Sequence, residues 1–260
     1  MREFDFAILG AGAIGSILGA HLARAGHRVV MLARGSRATY LEQHGLAIRG
    51  LAEFTTAVHT LRDPRALASA GALIVATKTP GTAAALEPLR AAQFDVTLSI
   101  QNGPLKNELL AAAFGAERVL GALADTSGEL TPSGEVLFTR NVGLYLGELA
   151  GGDSARAQHL ARTLDAAGVR AAATPEIQTL EWVQVLRLGG AHGAVGDDAG
   201  AHLAVSVRSG LGVARRAAGA RDGWTGTRAR YRPLRPLGPT GREPVRAGRE
   251  RCGGTDHEDR

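Results

Sequence analysis

Cysteine is all but missing from this chain of 260 residues: Cys252 stands alone. A single thiol excludes a disulfide framework and any multi-cysteine zinc or iron–sulfur site, and a reducing, cytoplasmic compartment fits. No uncharged apolar run approaches the roughly 18 residues of a membrane span, so no membrane partner is expected. Glu3 and Asp5 spoil the basic start that a signal peptide needs. Histidines are scattered (His21, His27, His44, His59 and His159 among them), with no H-x-x-x-H or acid-paired spacing, and no G-x-S-x-G occurs. Metal chemistry and Ser/His/Asp catalysis therefore have no support.

What is plentiful is arginine, and it is unevenly spread. The net charge is +5, but residues 1–186 hold 16 Arg+Lys against 17 Asp+Glu, while residues 187–260 hold 14 Arg against 8 Asp+Glu. The basicity belongs to the last 74 residues, which contain no Ile, Phe or Met and only 10 Leu and Val. That falls below the roughly 20% of large aliphatic and Phe residues expected of a chain that packs a core. The tail has only Trp224 and Tyr231 as aromatics, too few to interleave a base-stacking surface, so no nucleic acid is expected as a partner.

Before that tail, short apolar runs alternate with helical patterns. Strands are expected at Phe4–Leu9, Arg28–Leu32, Phe54–Thr60, Ala72–Ala76, Thr97–Ile100 and Val119–Ala124. An edge hairpin is expected from Glu135–Phe138 with Gly143–Leu146. Helices are expected at Ala13–Ala25, between Gly81 and Leu89, between Pro104 and Phe114, and at Ser154–Ala167 with Ser154 as its cap. Continuous apolar strands flanked by helices predict an α/β fold, a Rossmann-type doubly wound and mostly parallel sheet.

The sharpest motif is Gly10-Ala11-Gly12-Ala13-Ile14-Gly15, a G-x-G-x-x-G between the first strand and the first helix. Gly10 permits the tight turn, Gly12 lets backbone approach a pyrophosphate, and Gly15 lets helix pack on strand. The helix N-terminus supplies free N–H groups and a positive dipole end. In that context the motif reads as a dinucleotide site; the plain alternative is an ordinary glycine-rich βα turn. The second strand ends not in an acid but in Arg34, with Arg37 close behind. A guanidinium grips a 2′-phosphate that an acid would repel, which points to NADP(H); otherwise these are two solvent-facing arginines.

Two further residues stand where such a sheet takes its ligands, beyond strand carboxyl ends. Lys78 follows the run ALIVAT and is one of two lysines among 30 basic residues. Either a compact, movable ammonium is needed there or it is a solvated loop lysine. Asn102, in Ile100-Gln101-Asn102-Gly103, carries a carboxamide that can donate to a substrate oxygen and accept from a ribose hydroxyl. The alternative is a plain Asn-Gly turn.

Taken together, GAGAIGSILGAHLARAGHRVVMLARGSR, LIVATKTPGT, LSIQNGPLKNELL and GALADTSGELTPSGEV strongly resemble the ketopantoate reductases (2-dehydropantoate 2-reductases) over about residues 4–185. The resemblance implies an NADPH-binding Rossmann domain over residues 1–175, and a helical substrate domain that would begin at 176–187 and be left incomplete. It implies NADPH-dependent reduction of 2-dehydropantoate, or a related 2-oxo acid, to (R)-pantoate on the route to pantothenate and coenzyme A. Carried over by position, Gly10, Ala11, Gly12, Ala13, Ile14 and Gly15 would hold the pyrophosphate, and Arg34 the 2′-phosphate. Lys78 and Asn102 would serve both cofactor and catalysis, and Ser127, beside Thr126, would lie near the nicotinamide. The family's general acid is a lysine two residues after a tryptophan; here Trp182 is followed by Gln184. A non-catalytic NADP(H)-binding remnant is therefore the rival reading. The abrupt change of composition after Arg187 suggests that residues 188–260 are disordered or read out of frame, since high-GC DNA so read yields Arg, Gly, Ala and Pro. Finding the same intact frame and tail in close relatives would remove that idea.

Overall fold

In the computed structural model residues 2–191 are described. The expectation that the tail is disordered or read out of frame falls, from His192 onward, outside the described residues. Strand β1 (Phe4–Leu9) leads through the glycine loop into α1 (Ala13–Arg24) and β2 (Val29–Leu32). Next come α2 (Gly35–His44), β3 (Leu46–Gly50), β4 (Phe54–Thr56) and β5 (His59–Leu61). β6 (Ser69–Val75), α3 (Thr82–Leu86), β7 (Gln93–Ser99) and α4 (Leu105–Phe114) follow. A long hairpin, β8 (Val119–Leu130) and β9 (Val136–Glu148), gives way to α5 (Ala155–Ala166), β10 (Ala171–Ala173) and α6 (Ile177–Ala191).

The strands form one sheet in the order β4-β3-β9-β8-β7-β6-β1-β2-β5, with β10 beside β9. Only β3–β4 and β8–β9 pair antiparallel. Alternation within the strands builds a core on each face. Phe6 and Ile8 of β1 join Ile17 and Leu18 of α1, Leu41 of α2 and Leu164 of α5. Ala7 and Leu9 turn to the other face, with Leu86 of α3 and Leu110 and Phe114 of α4. This is the expected doubly wound, mostly parallel α/β arrangement. Ser154 caps α5 as expected, accepting from the Ala157 N–H.

Two expectations need correcting. Phe54–Thr60 is not one strand: β4 pairs with β3 at one end of the sheet and β5 with β2 at the other. Thr56 and His59 are three Cα steps apart, a reach of about 11 Å at most. The sheet must therefore curl until its two ends nearly meet. Helix α1 lies within that curl and is buried without a break from Gly15 to Leu22. Glu135–Phe138 and Gly143–Leu146 do not pair with each other either. Val136–Phe138 and Gly143–Leu146 both belong to β9, whose hairpin partner is β8, and the hairpin lies inside the sheet rather than at its edge. The register of the hairpin shifts beside Asp125/Thr126 and Ser127/Gly128, and breaks in a ladder of this sort let a long hairpin bend.

Burial inside the curl reaches one titratable group. His21 of α1 donates from Nδ1 to the Ala167 carbonyl at 3.0 Å and lies against the rings of Phe54 and Phe138. Its Nε2 is buried without a partner. Burial pushes its pKa below the usual 6.5, and the nearby Arg24 charge adds to this. The unfolded chain then takes up this proton first as the pH falls. Stability is accordingly lost below about pH 6.5 and down through the depressed folded value. Thermal unfolding of the wild type between pH 7.5 and 5 should show this loss, and His21→Leu should flatten it. An unchanged slope in the variant would remove His21 as its source.

Candidate functional site

The parallel register aligns four loops. Leu9 pairs with both Leu32 and Val75, and Val75 pairs with Ser99. Gly10, Arg34, Lys78 and Asn102 each follow one of these paired residues by three positions or fewer. All four thus stand at the carboxyl edge of the neighbouring strands β2, β1, β6 and β7. From β1 the chain passes first to β2 on one side and later to β6 on the other. The crevice at such a reversal is where open α/β sheets take ligands.

At its centre the glycine loop is tight on one side and open on the other. Gly10 adopts φ +109°, and a Cβ there would come 2.9 Å from the Ala76 carbonyl carbon and the Thr77 nitrogen. Such a backbone suits only glycine. A Cβ on Gly15 would run into the Gly10 carbonyl oxygen. Around Gly12 nothing lies within 4 Å of where a Cβ would sit. Helix α1 has Gly12 at its N-cap and so no side-chain cap, which leaves its first N–H groups to solvent or a ligand. With Ala11, Ala13 and Ile14 between the glycines, this is a cradle of backbone donors suited to a diphosphate.

The two arginines beyond β2 have separate tasks. Arg34 is exposed and makes no ion pair or side-chain hydrogen bond among the described residues. Arg37 is committed elsewhere. Its Nε donates to the Ala11 carbonyl at 2.9 Å and its Nη2 to Ser16 Oγ at 3.0 Å. Its Nη1 donates to the Gly134 carbonyl at 2.6 Å, and its guanidinium lies 5.0 Å from the centre of the Tyr40 ring. Arg37 therefore clamps the glycine loop to the tip of the β8–β9 hairpin. It is half-buried and committed, not one of two solvent-facing arginines.

Lys78 and Asn102 are both exposed, on loops that face each other across β6 and β7. Gln101, buried beside Asn102, ties these loops together. Its Nε2 donates to the Thr77 carbonyl at 2.8 Å, to Thr77 Oγ1 at 3.2 Å and to Thr82 Oγ1 at 2.8 Å. The other lysine of the chain lies beneath. Lys106 Nζ donates to the Gln101 carbonyl at 2.6 Å and to the Ala122 carbonyl, and pairs with Glu181 Oε1 at 3.2 Å. Glu181 also accepts from the Ala122 N–H at 3.0 Å and from Asn107 Nδ2 at 2.7 Å. Burial pushes the Lys106 ammonium down and the Glu181 carboxyl up, and the attraction between them opposes both shifts. Sequence reasoning missed this cluster. The available signals were the rarity of lysine and an acid set in the apolar run of α6.

Through Glu181, α6 is anchored beside the Asn102 loop. Val185 Cγ2 lies 3.6 Å from where a Cβ on Gly103 would be. Gln184, half-buried, is the residue before it. Ser127 is exposed on β8, seven residues past Leu120, the last residue of β8 paired with β7. Thr126 beside it is buried with its hydroxyl unpartnered. Two surface grooves, one including Gln158, Arg162 and Ala172 and the other Glu148, Pro175 and Thr179, share no residue with this site. No group of His, Cys, Asp and Glu among the described residues is arranged to hold a metal ion. No described helix is long and apolar enough to cross a membrane.

Residues 6–151 match the family model described as Ketopantoate reductase PanE/ApbA. The 2-dehydropantoate 2-reductase of Archaeoglobus fulgidus is 31% identical over 186 residues, covering 72% of this chain and 61% of that protein. The Pyrococcus abyssi protein of the same name is 33% identical over 53% of this chain and 47% of its own length. Among solved structures, 2-dehydropantoate 2-reductase from Geobacter metallireducens superposes with a TM-score of 0.65 at 30% identity, covering 70% of this chain and 62% of that one. D-mandelate dehydrogenase, solved with NADH and anilino(oxo)acetate, shares the fold with a TM-score of 0.63 at 21% identity, over 68% of this chain and 59% of its own. The chain spans less than two thirds of the length of each of these relatives.

Proposed function

The chain belongs to the ketopantoate reductase PanE/ApbA family, and from that premise we propose that it binds NADPH and reduces the ketone of 2-dehydropantoate or a closely related 2-oxo acid. The carrying observation is the alignment of Arg34, the glycine loop, Lys78 and Asn102 along four adjacent strand ends. In this reading the product is (R)-pantoate or the corresponding 2-hydroxy acid, on the way to pantothenate and coenzyme A. When bound, the dihydronicotinamide supplies the hydride.

The chain's own residues do the rest. The N–H groups of the Gly10–Gly15 loop and the start of α1 take the diphosphate, and Arg34 takes the 2′-phosphate in a fork of hydrogen bonds. An acid in place of Arg34 would favour the unphosphorylated cofactor instead. Asn102 orients the nicotinamide ribose and the substrate, with the exposed arm of β8 at Ser127 near the same end. Lys78 places a cation beside the ketone oxygen, where negative charge develops as hydride arrives. Gln184 can hydrogen-bond that oxygen but releases no proton, so the proton that completes the alcohol comes from Lys78 or water. Absorbance at 340 nm tests the proposal. NADPH should be consumed slowly but measurably with 2-dehydropantoate or a small 2-oxo acid, and Asn102→Ala should abolish the signal. A wild-type rate no higher than background with every such acid would leave a chain that binds cofactor and turns nothing over.

A further inference from the structure

Two separate polar networks run beneath the site. One belongs to the glycine loop: Arg37 joins Ala11, Ser16 and Gly134. The other contains none of those residues. It starts at Glu181 on α6, passes through Lys106 on α4 to the main-chain carbonyl of Gln101, and leaves by the Gln101 side chain to Thr77 and Thr82. Thr82 Oγ1 in turn donates to the Thr79 carbonyl at 2.9 Å. Lys78 lies inside the segment so tied, and Asn102 is the residue next to the tie.

We propose that Gln101, fixed by the buried Lys106–Glu181 pair, is a positioning residue that holds the Lys78 and Asn102 loops together for the nicotinamide half of the cofactor, while the Arg37 network serves the adenosine half alone. The proposal rests on the cofactor reading above. Three features carry it. The Lys106 and Glu181 side chains are 1% and 0% exposed, and apolar groups of like volume commonly fill such a site at no loss of stability. What the polar groups add is a defined geometry. Gln101 is held at both ends, by its carbonyl and by its amide, so its backbone has little freedom to let Asn102 drift. Finally, the Thr77 carbonyl and Thr82 hydroxyl that it holds flank Lys78 on both sides.

The two halves of the cofactor can be probed separately. NADPH reports on both, and adenosine 2′,5′-bisphosphate reports on the adenosine half alone. Gln101→Met keeps the length of the side chain and removes its donors. In the full chain this variant should bind NADPH about tenfold more weakly, as expected for the loss of one or two preorganising hydrogen bonds. Its affinity for adenosine 2′,5′-bisphosphate should stay within about twofold of the wild type, since the Arg37 network is untouched. Should Gln101→Met not fold, Thr82→Val opens the same tie from the other side and should show the same split, about threefold. Equal weakening of both ligands means general loosening of the fold and overturns the proposal, as does no weakening of either. If the wild type binds neither ligand, the cofactor reading fails and takes this proposal with it. Wild-type binding without a split in the variants defeats this proposal alone.

Discussion

Lysine in place of Gln184 is expected to raise the rate of ketone reduction by about 10²–10⁴, the usual worth of a positioned general acid. Position 184 is two residues after Trp182, where the resemblance puts the family's proton donor, and its neighbour on α6, Val185, lies 3.6 Å from where a Cβ on Gly103 would be. A carboxamide there can orient the ketone; an ammonium can also neutralise the forming alkoxide and hand it a proton. The gain should appear in kcat, with NADPH affinity nearly unchanged, because the transition state alone carries the new charge. Stopped or continuous assays at 340 nm decide the matter. A Gln184→Lys variant that binds NADPH yet shows no faster turnover would mean that α6 does not present this position to the substrate.

Removing Glu181 is expected to be the most damaging single change to the fold. In Glu181→Ala the Lys106 ammonium keeps its carbonyl partners but loses its counter-charge in a site closed to water, while the Ala122 N–H and the Asn107 amide lose their acceptor. Breaking one half of a buried pair costs about 3–5 kcal/mol. For a domain of this size that is a fall in Tm of roughly 10 °C. Lys106→Met alone should cost a similar amount, and Lys106→Met with Glu181→Ala less than the two single changes added, since no lone charge is left behind. Denaturant unfolding of the three variants measures this. Strict additivity, or a Glu181→Ala loss of less than about 1 kcal/mol, would show that the pair does not hold α6 in place.

The parts of this molecule that are readable from sequence are those whose causes are local. Each glycine of the loop has its own steric reason, visible again in the crowded surroundings of Gly10 and Gly15 and the open space at Gly12. The strand-end places of Lys78 and Asn102 are readable because an apolar run marks a strand. What escapes notice depends on partners far along the chain. Phe54–Thr60 looks continuous because nothing local tells that its halves pair at opposite ends of a curled sheet. Helix α2 has only Ala38 and Leu41 buried, too narrow a stripe to show as a period, and β3 is five residues long. Glu181 and Lys106 lie 75 positions apart, and in sequence each resembles any surface charge. Arg37 likewise resembles Arg34 until the hairpin tip arrives beside it.

The central claim concerns Arg34 and the glycine loop, and a fluorescence titration with NADPH and NADH tests it most directly. The wild type should bind NADPH about 10–100-fold more tightly, as expected of charge-assisted hydrogen bonds to one phosphate, and Arg34→Asp should erase or reverse that preference. Equal affinity of the wild type for the two cofactors, or binding of neither, would contradict it.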